Sequence, residues 1–225
     1  MKRLLAAAIA AALLLSGCTS ASRPAESAPP TEMPSPSPTP VVTPTPEPEP
    51  ADGELVLVRD YIPGIFIDLK YATTDNFTGR VIYDSDEAYL RYGTVKKLLC
   101  AQNELSGRGL SLKIWDAYRP VSAQFKLWEI CPNPVYVSDP NNGYSKHSRA
   151  NTVDITLVTD TGKSIPMPSG FDDFTSLADR DYSDVSDEAA ENARLLESVM
   201  VENGFVPYSG EWWHYSDSVA YDVYG

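Results

Sequence analysis

Apolar residues alternate with polar ones in several short stretches of this chain and recur with helical spacing in others. Residues 55–58 and 65–69 read as strands separated by a turn at Pro63 and Gly64. Over residues 86–106, Leu90, Val95, Leu98, Leu99 and Leu105 form an apolar helical face that Gly107 and Gly109 bring to a stop. Residues 110–115 return as a strand, and Pro120 suits the first turn of a helix running to Ile130. A loop with Pro132, Pro134, Pro140 and Gly143 leads to a strand over residues 153–158. There Val153, Ile155 and Leu157 face a core, which turns Asp154 to the opposite face, where a site can open to solvent. A long acidic loop over residues 171–185 precedes a helix over residues 187–203, and the chain then turns into Glu211, Trp212, Trp213 and His214. Strands and helices intermix without a repeated strand-helix-strand period. The predicted class is α+β, with a mainly antiparallel central sheet flanked by helices.

The first fifty residues follow other rules. Met1, Lys2 and Arg3 precede an apolar run over residues 4–15 that is too short to span a membrane comfortably and reads as an export leader. It ends in Leu15, Ser16, Gly17 and Cys18, which resembles the lipobox of bacterial lipoproteins. That resemblance implies a signal peptide over residues 1–17, a diacylated Cys18, and a chain anchored to the outer face of the cell membrane. The alternative is a plain secretory signal cleaved near Ala21; either way the chain is exported. Residues 18–52 alternate Pro with Ser, Thr and Glu, cannot build a core, and are expected to form a semi-rigid tether rising about 3 Å per residue. Residues 53–225 are long enough for one domain with a real hydrophobic core. The net charge of −13 argues against nucleic acid or an anionic membrane surface as partner. Of three cysteines, Cys100 and Cys131 remain as an even pair in an oxidising compartment. They fit either a disulfide between the ends of two neighbouring helices or two free thiols, and no histidine lies near either in sequence to make it a nucleophile.

Only two histidines occur, His147 and His214, and each has carboxylates close by: Asp154 seven residues after the first, Glu211 three before the second. Two His, one Asp and one Glu are the parts of a hydrolytic zinc centre with three ligands and a nearby general base. Taken singly, His147 fits a surface turn and His214 a hydrogen-bonded interior position, and neither segment is HExxH. Residues three apart on a regular strand project to opposite faces. Glu211 and His214 therefore share a site only if Glu211 lies in the turn begun by Ser209 and Gly210, or on a bulge. Trp213, facing away from His214, belongs to the core, while Trp212 suits either core or substrate wall.

The segment from Ser145 to Asp154, Ser-Lys-His-Ser-Arg-Ala-Asn-Thr-Val-Asp, resembles the SxHxxGxAxD motif of the zinc D-Ala-D-Ala metallopeptidases, and Glu211-Trp212-Trp213-His214 resembles their ExxH segment. Residues 70–79, Trp115 to Pro120, Ile165 to Met167, and Phe171 with Asp172 are further similar to the D-alanyl-D-alanine dipeptidases of the vancomycin-resistance type. The likeness runs in order from about Ile67 to Tyr215 and covers none of the tether. It implies that His147, Asp154 and His214 bind one Zn²⁺ and that Glu211 moves the proton from attacking water to the leaving amine. Arg119 would stabilise the oxyanion, with Asp116 supporting it. Asp172 and Tyr71 would hold the substrate ammonium, and Ser145 would lie near the dipeptide.

Ala150 stands where the motif has Gly, and Thr152 where it has Ala. An Ala at positive φ costs roughly 1 kcal/mol or more, whereas at ordinary φ it is harmless. Thr152 would either narrow the site or add a hydroxyl. The expected activity is hydrolysis of D-Ala-D-Ala in cell-wall peptide turnover. The alternatives are a D,D- or L,D-carboxypeptidase or endopeptidase on stem peptides, and a non-catalytic zinc-bearing wall-binding domain.

Overall fold

In the computed structural model the described residues are 48–224; Cys18, the leader and the tether up to residue 47 lie outside them. The chain runs β1 (Leu55–Leu57), α1 (Val58–Tyr61), β2 (Phe66–Ile67), β3 (Tyr89–Arg91), α2 (Tyr92–Ser106), β4 (Leu110–Asp116), α3 (Val121–Ile130), β5 (Thr152–Thr159), α4 (Asp187–Glu202), β6 (Phe205–Tyr208) and β7 (Glu211–Asp217). Five strands form the central sheet in the order β2-β4-β5-β7-β6, and β1 pairs with β3 apart from it. Only β2 and β4 are parallel; the other central pairings are antiparallel, as the intermixed pattern predicts.

Long α2 and α4 pack against the sheet and each other, burying Leu98, Leu105, Leu196 and Met200 with Leu112, Ile114, Ile155 and Leu157. Helix α4 starts where the Ser186 hydroxyl accepts from the Ala189 N–H, with Asp187 and Glu188 at the positive end of the helix dipole. The Asp217 carboxylate, at the end of β7, is buried and accepts from Thr94 at 2.8 Å and from Lys97, both on α2. Arg91 ties three remote segments together by donating to the carbonyls of Gly53, Arg149 and Asp222.

Two expectations are corrected, and one open alternative is decided. Residues 55–58 and 65–69 are not one hairpin: β1 pairs with β3, and β2 lies in the central sheet beside β4. The helix predicted from residue 86 begins at Tyr92, because Leu90 is buried opposite Val56 as a strand residue. A single buried leucine satisfies either period, so sequence alone could not separate them. Cys100 and Cys131 are free thiols, not a disulfide; α2 exposes Cys100 to solvent, while Cys131, just past α3, packs on the core.

Ala150 has φ 59° and ψ 28°, so the motif's Gly position is left-handed here and occupied by a buried Ala. This residue ends the 3-10 turn Lys146–Arg149 and aims the chain into β5, its carbonyl receiving the Arg91 N–H at 2.8 Å. Left-handed Ala costs about 1–2 kcal/mol. Replacing it by Gly forfeits about 0.8 kcal/mol of buried methyl and about 0.5–1 kcal/mol of chain entropy. These contributions nearly cancel. Ala150→Gly should leave the urea midpoint within error of wild type, whereas Ala150→Val, β-branched at positive φ, should lower stability by more than about 2 kcal/mol.

Candidate metal centre

Strand register builds the site. On β5 and β7, Asp154 pairs directly with His214, and paired residues project to the same face. Between β4 and β5 the register shifts at Trp115, so Ile114 pairs with Ile155 but Asp116 pairs with Asp154. That bulge turns Asp116 from the core side of β4 to the side of the site. Asp116, Asp154 and His214 consequently stand in a row across three neighbouring strands, on the face opposite Val153 and Ile155.

His147 reaches the row from the 3-10 turn, whose first N–H groups are steadied by the Ser145 hydroxyl accepting from the His147 N–H at 3.3 Å. Two bonds fasten this turn to the segment after β4. The His147 Nδ1 lies 2.9 Å from the Ala117 carbonyl, and the Arg119 N–H donates to the His147 carbonyl at 3.2 Å. With Nδ1–H donating to Ala117, Nε2 keeps its lone pair and faces Asp154 Oδ2 at 3.3 Å. His214 presents Nδ1, 2.9 Å from Asp154 Oδ1 and 3.4 Å from Glu211 Oε2. One ligand atom from each of His147, Asp154 and His214 falls within 4.8 Å of the others. Two donors about 2.0–2.1 Å from a tetrahedral metal stand about 3.3 Å apart, so the His147–Asp154 pair already has the spacing of metal ligands. Two imidazole nitrogens and one carboxylate with adjacent acidic support fit a borderline dication such as Zn²⁺.

Glu211 shares the site because the β6–β7 ladder breaks. Pro207 pairs with Tyr215 but Tyr208 with Glu211, which removes regular alternation between Glu211 and His214. The expected bulge is present. Burial, reinforced by Asp154, pushes the Glu211 carboxyl up to about 7. Burial alone would also raise Asp154, but the two imidazoles hold it below the usual carboxylate range.

Arg119 is a buried guanidinium. Its Nε and one terminal nitrogen donate to Asp116 Oδ2 at 3.1 and 2.6 Å, and the other terminal nitrogen donates to Gln124 at 3.0 Å. Five N–H groups minus these three leave one on each terminal nitrogen for another acceptor. Asp116 also accepts from the Tyr83 hydroxyl and the Ala117 N–H. The Tyr71 ring lies under the Arg119 guanidinium, 5.0 Å from it, and its hydroxyl donates to Asp172 at 2.6 Å. Asp172 takes a left-handed φ of 51°, and burial raises its carboxyl to about 7. Aromatic contacts clamp this loop on both sides: Phe171 against Tyr71 and Trp115, Phe174 against Phe77 and Tyr136.

The structure thus brings together His147, Asp154, His214 and Glu211, and groups Arg119, Asp116, Tyr71 and Asp172 beside one another. Trp212 and Trp213 are both buried; the first donates to the Ser169 hydroxyl, so it belongs to the interior. The Thr152 hydroxyl is 3.0 Å from Ser216 Oγ, two rungs along from Asp154 and His214, and is engaged there. Three supports escaped sequence reasoning. Gln124 was legible as a polar residue on the buried side of α3, while Tyr83 and the Ala117 carbonyl carried no signal.

A triad able to hold a dication, with a glutamate beside it and a buried guanidinium nearby, is the arrangement a metallopeptidase needs. The sequence profile of the Peptidase_M15 family, described as D-ala-D-ala dipeptidase, matches residues 51–222. Proteins named D-alanyl-D-alanine dipeptidase are similar to it. That of Escherichia coli K12 is 39% identical over 162 residues, covering 72% of this chain and 83% of the relative. That of Enterococcus faecium is 35% identical over 176 residues, 69% of this chain and 87% of the relative. That of Streptomyces coelicolor is 36% identical over 188 residues, 73% and 91%. The chain belongs to the Peptidase_M15 family.

Asp116 neutralises a buried cation, and removing one member of such a pair costs about 3–5 kcal/mol. Asp116→Ala should therefore lower unfolding stability by about that amount, read by urea titration of tryptophan fluorescence, whereas Asp84→Ala, whose partner Lys126 is exposed, should change it by less than about 1 kcal/mol.

Proposed function

We propose that this protein is a zinc-dependent dipeptidase that hydrolyses D-alanyl-D-alanine to two D-alanines. The observation that carries the reading is the placement of Glu211 beside His214, with Arg119 and the Asp172–Tyr71 pair assembled near the same sheet face. The names of the relatives support the substrate. His147 through Nε2, Asp154 through a carboxylate oxygen and His214 through Nδ1 would hold the zinc. When bound, zinc supplies Lewis acidity that makes water nucleophilic near neutral pH. Glu211 takes the proton of the attacking water and delivers it to the departing amine. Arg119 offers its two free N–H groups to the developing oxyanion, oriented beforehand by Asp116 and Gln124. Asp172 and the Tyr71 hydroxyl receive the substrate ammonium, and Ser145 stands by the His147 side of the site.

The export pattern and Cys18 support a lipid-anchored protein acting outside the cell membrane, on peptides released by wall turnover rather than on cytoplasmic precursors. No helix among the described residues is long and apolar enough to cross a membrane.

Leaderless protein loaded with zinc should release D-alanine from D-Ala-D-Ala and leave N-acetyl-D-Ala-D-Ala intact, since the latter has no ammonium for Asp172. Glu211→Gln should cut kcat by about 10²–10⁴-fold at unchanged zinc content. Equal cleavage of the acetylated substrate would make it a carboxypeptidase, and no cleavage of either would favour a binding domain.

Asp172 adds a pH signature. The ammonium needs its ionised form, so kcat/KM should fall as pH drops through about 7, or lower where the nearby dication draws the carboxyl down. Asp172→Asn should abolish that acid limb and raise KM for the dipeptide. An unaltered pH profile in the variant would remove Asp172 from ammonium binding.

A further inference from the structure

A free dipeptide carries charge at both ends, and the reading above provides a partner only for its ammonium. Resting on that reading, we propose that Lys146 binds the C-terminal carboxylate of the substrate. Glu211 must stand beside the leaving amine in order to protonate it, so the leaving residue lies on the Glu211 side of the metal ligands. A cavity of about 280 Å³ opens on that side, lined by Ser145, Lys146, Tyr136, Tyr208, Glu211 and His214. Tyr71, Arg119 and Asp172 do not line it, so the cavity is separate from the groups assigned to the ammonium and the oxyanion.

Charge in this cavity calls for a cation. Glu211 is the one carboxylate bordering it and Lys146 the one lysine or arginine, and a metal on His147, Asp154 and His214 would be occupied with the scissile group rather than the far carboxylate. None of the arginines nearby lines the cavity: Arg149 is held on the Tyr221 carbonyl, Arg180 on Glu197, and the free N–H groups of Arg119 are assigned to the oxyanion. The exposed Lys146 side chain makes no hydrogen bond or ion pair among the described residues. Its backbone, by contrast, is held firmly, since Lys146 opens the 3-10 turn between Ser145, which caps it, and His147. A free ammonium on a fixed base, lining the cavity that Glu211 and His214 border, has the chemistry to take up a carboxylate.

The test compares D-Ala-D-Ala with D-alanyl-D-alaninamide, which keeps the ammonium and the scissile bond but has no terminal carboxylate. Lys146→Gln should raise KM for the dipeptide about fivefold, with kcat within about twofold of wild type and zinc content unchanged. Lys146→Arg should recover most of the loss. For the amide, Lys146→Gln should leave KM where wild type has it. An equal rise in KM for both substrates, or none for either, overturns the assignment while dipeptidase activity of the wild type stands. Absence of wild-type turnover of the dipeptide overturns the functional reading and this inference together.

Discussion

The site depends on the register of β4, β5 and β7. Asp154 meets His214 on one side and Asp116 on the other only because the ladders align at those rungs. In a strand the side chains alternate, so a one-residue slip would send any of the three into the helix-packed core. The register is held by what lies beneath it. Val153, Ile155 and Leu157 are buried on the helix-packed side of the sheet, and slipping the strand would lift them off that core and drive Asp154 and Thr156 into it in their place. Hydrophobic burial on one face thereby fixes chemical geometry on the other.

Two departures from regularity complete the arrangement. The bulge at Trp115 brings Asp116 onto the site face, and the broken ladder at Tyr208 brings Glu211 toward His214. In each case the irregularity places an acid that perfect alternation would have turned away. Asp116 then serves two elements at once: its carboxylate neutralises Arg119 and lies 3.4 Å from His147 Nδ1. The reciprocal bonds between Ala117, Arg119 and His147 make the guanidinium and the first imidazole one mechanical unit. Groups held by a shared backbone in this way need little reorganisation to keep their mutual geometry.

The acid–base balance follows from the same packing. Asp154 stays ionised despite burial because it faces two imidazoles, whereas Asp172 and Glu211 are pushed upward by burial with less compensation. Carboxylates within one small site therefore differ in proton affinity according to their neighbours.

The sequence by itself determined the element types, the α+β class and the turn of Asp154 away from Val153 and Ile155, and its short motifs singled out His147, Asp154 and His214, which the fold groups together, because period and short motifs are local properties. It also required that Glu211 sit in a turn or bulge, a deduction from strand geometry that the hairpin at Ser209 and Gly210 bears out. Local pattern could not say that β1 and β2 belong to different sheets, that Leu90 is a strand residue, or that Cys100 and Cys131 stay apart. Nor could it show that Tyr83, Gln124 and the Ala117 carbonyl would close around Asp116, Arg119 and His147. Those outcomes depend on which distant segments meet, and only tertiary packing decides that: strand pairing, loop closure and the satisfaction of buried polar groups are properties of the whole assembled chain.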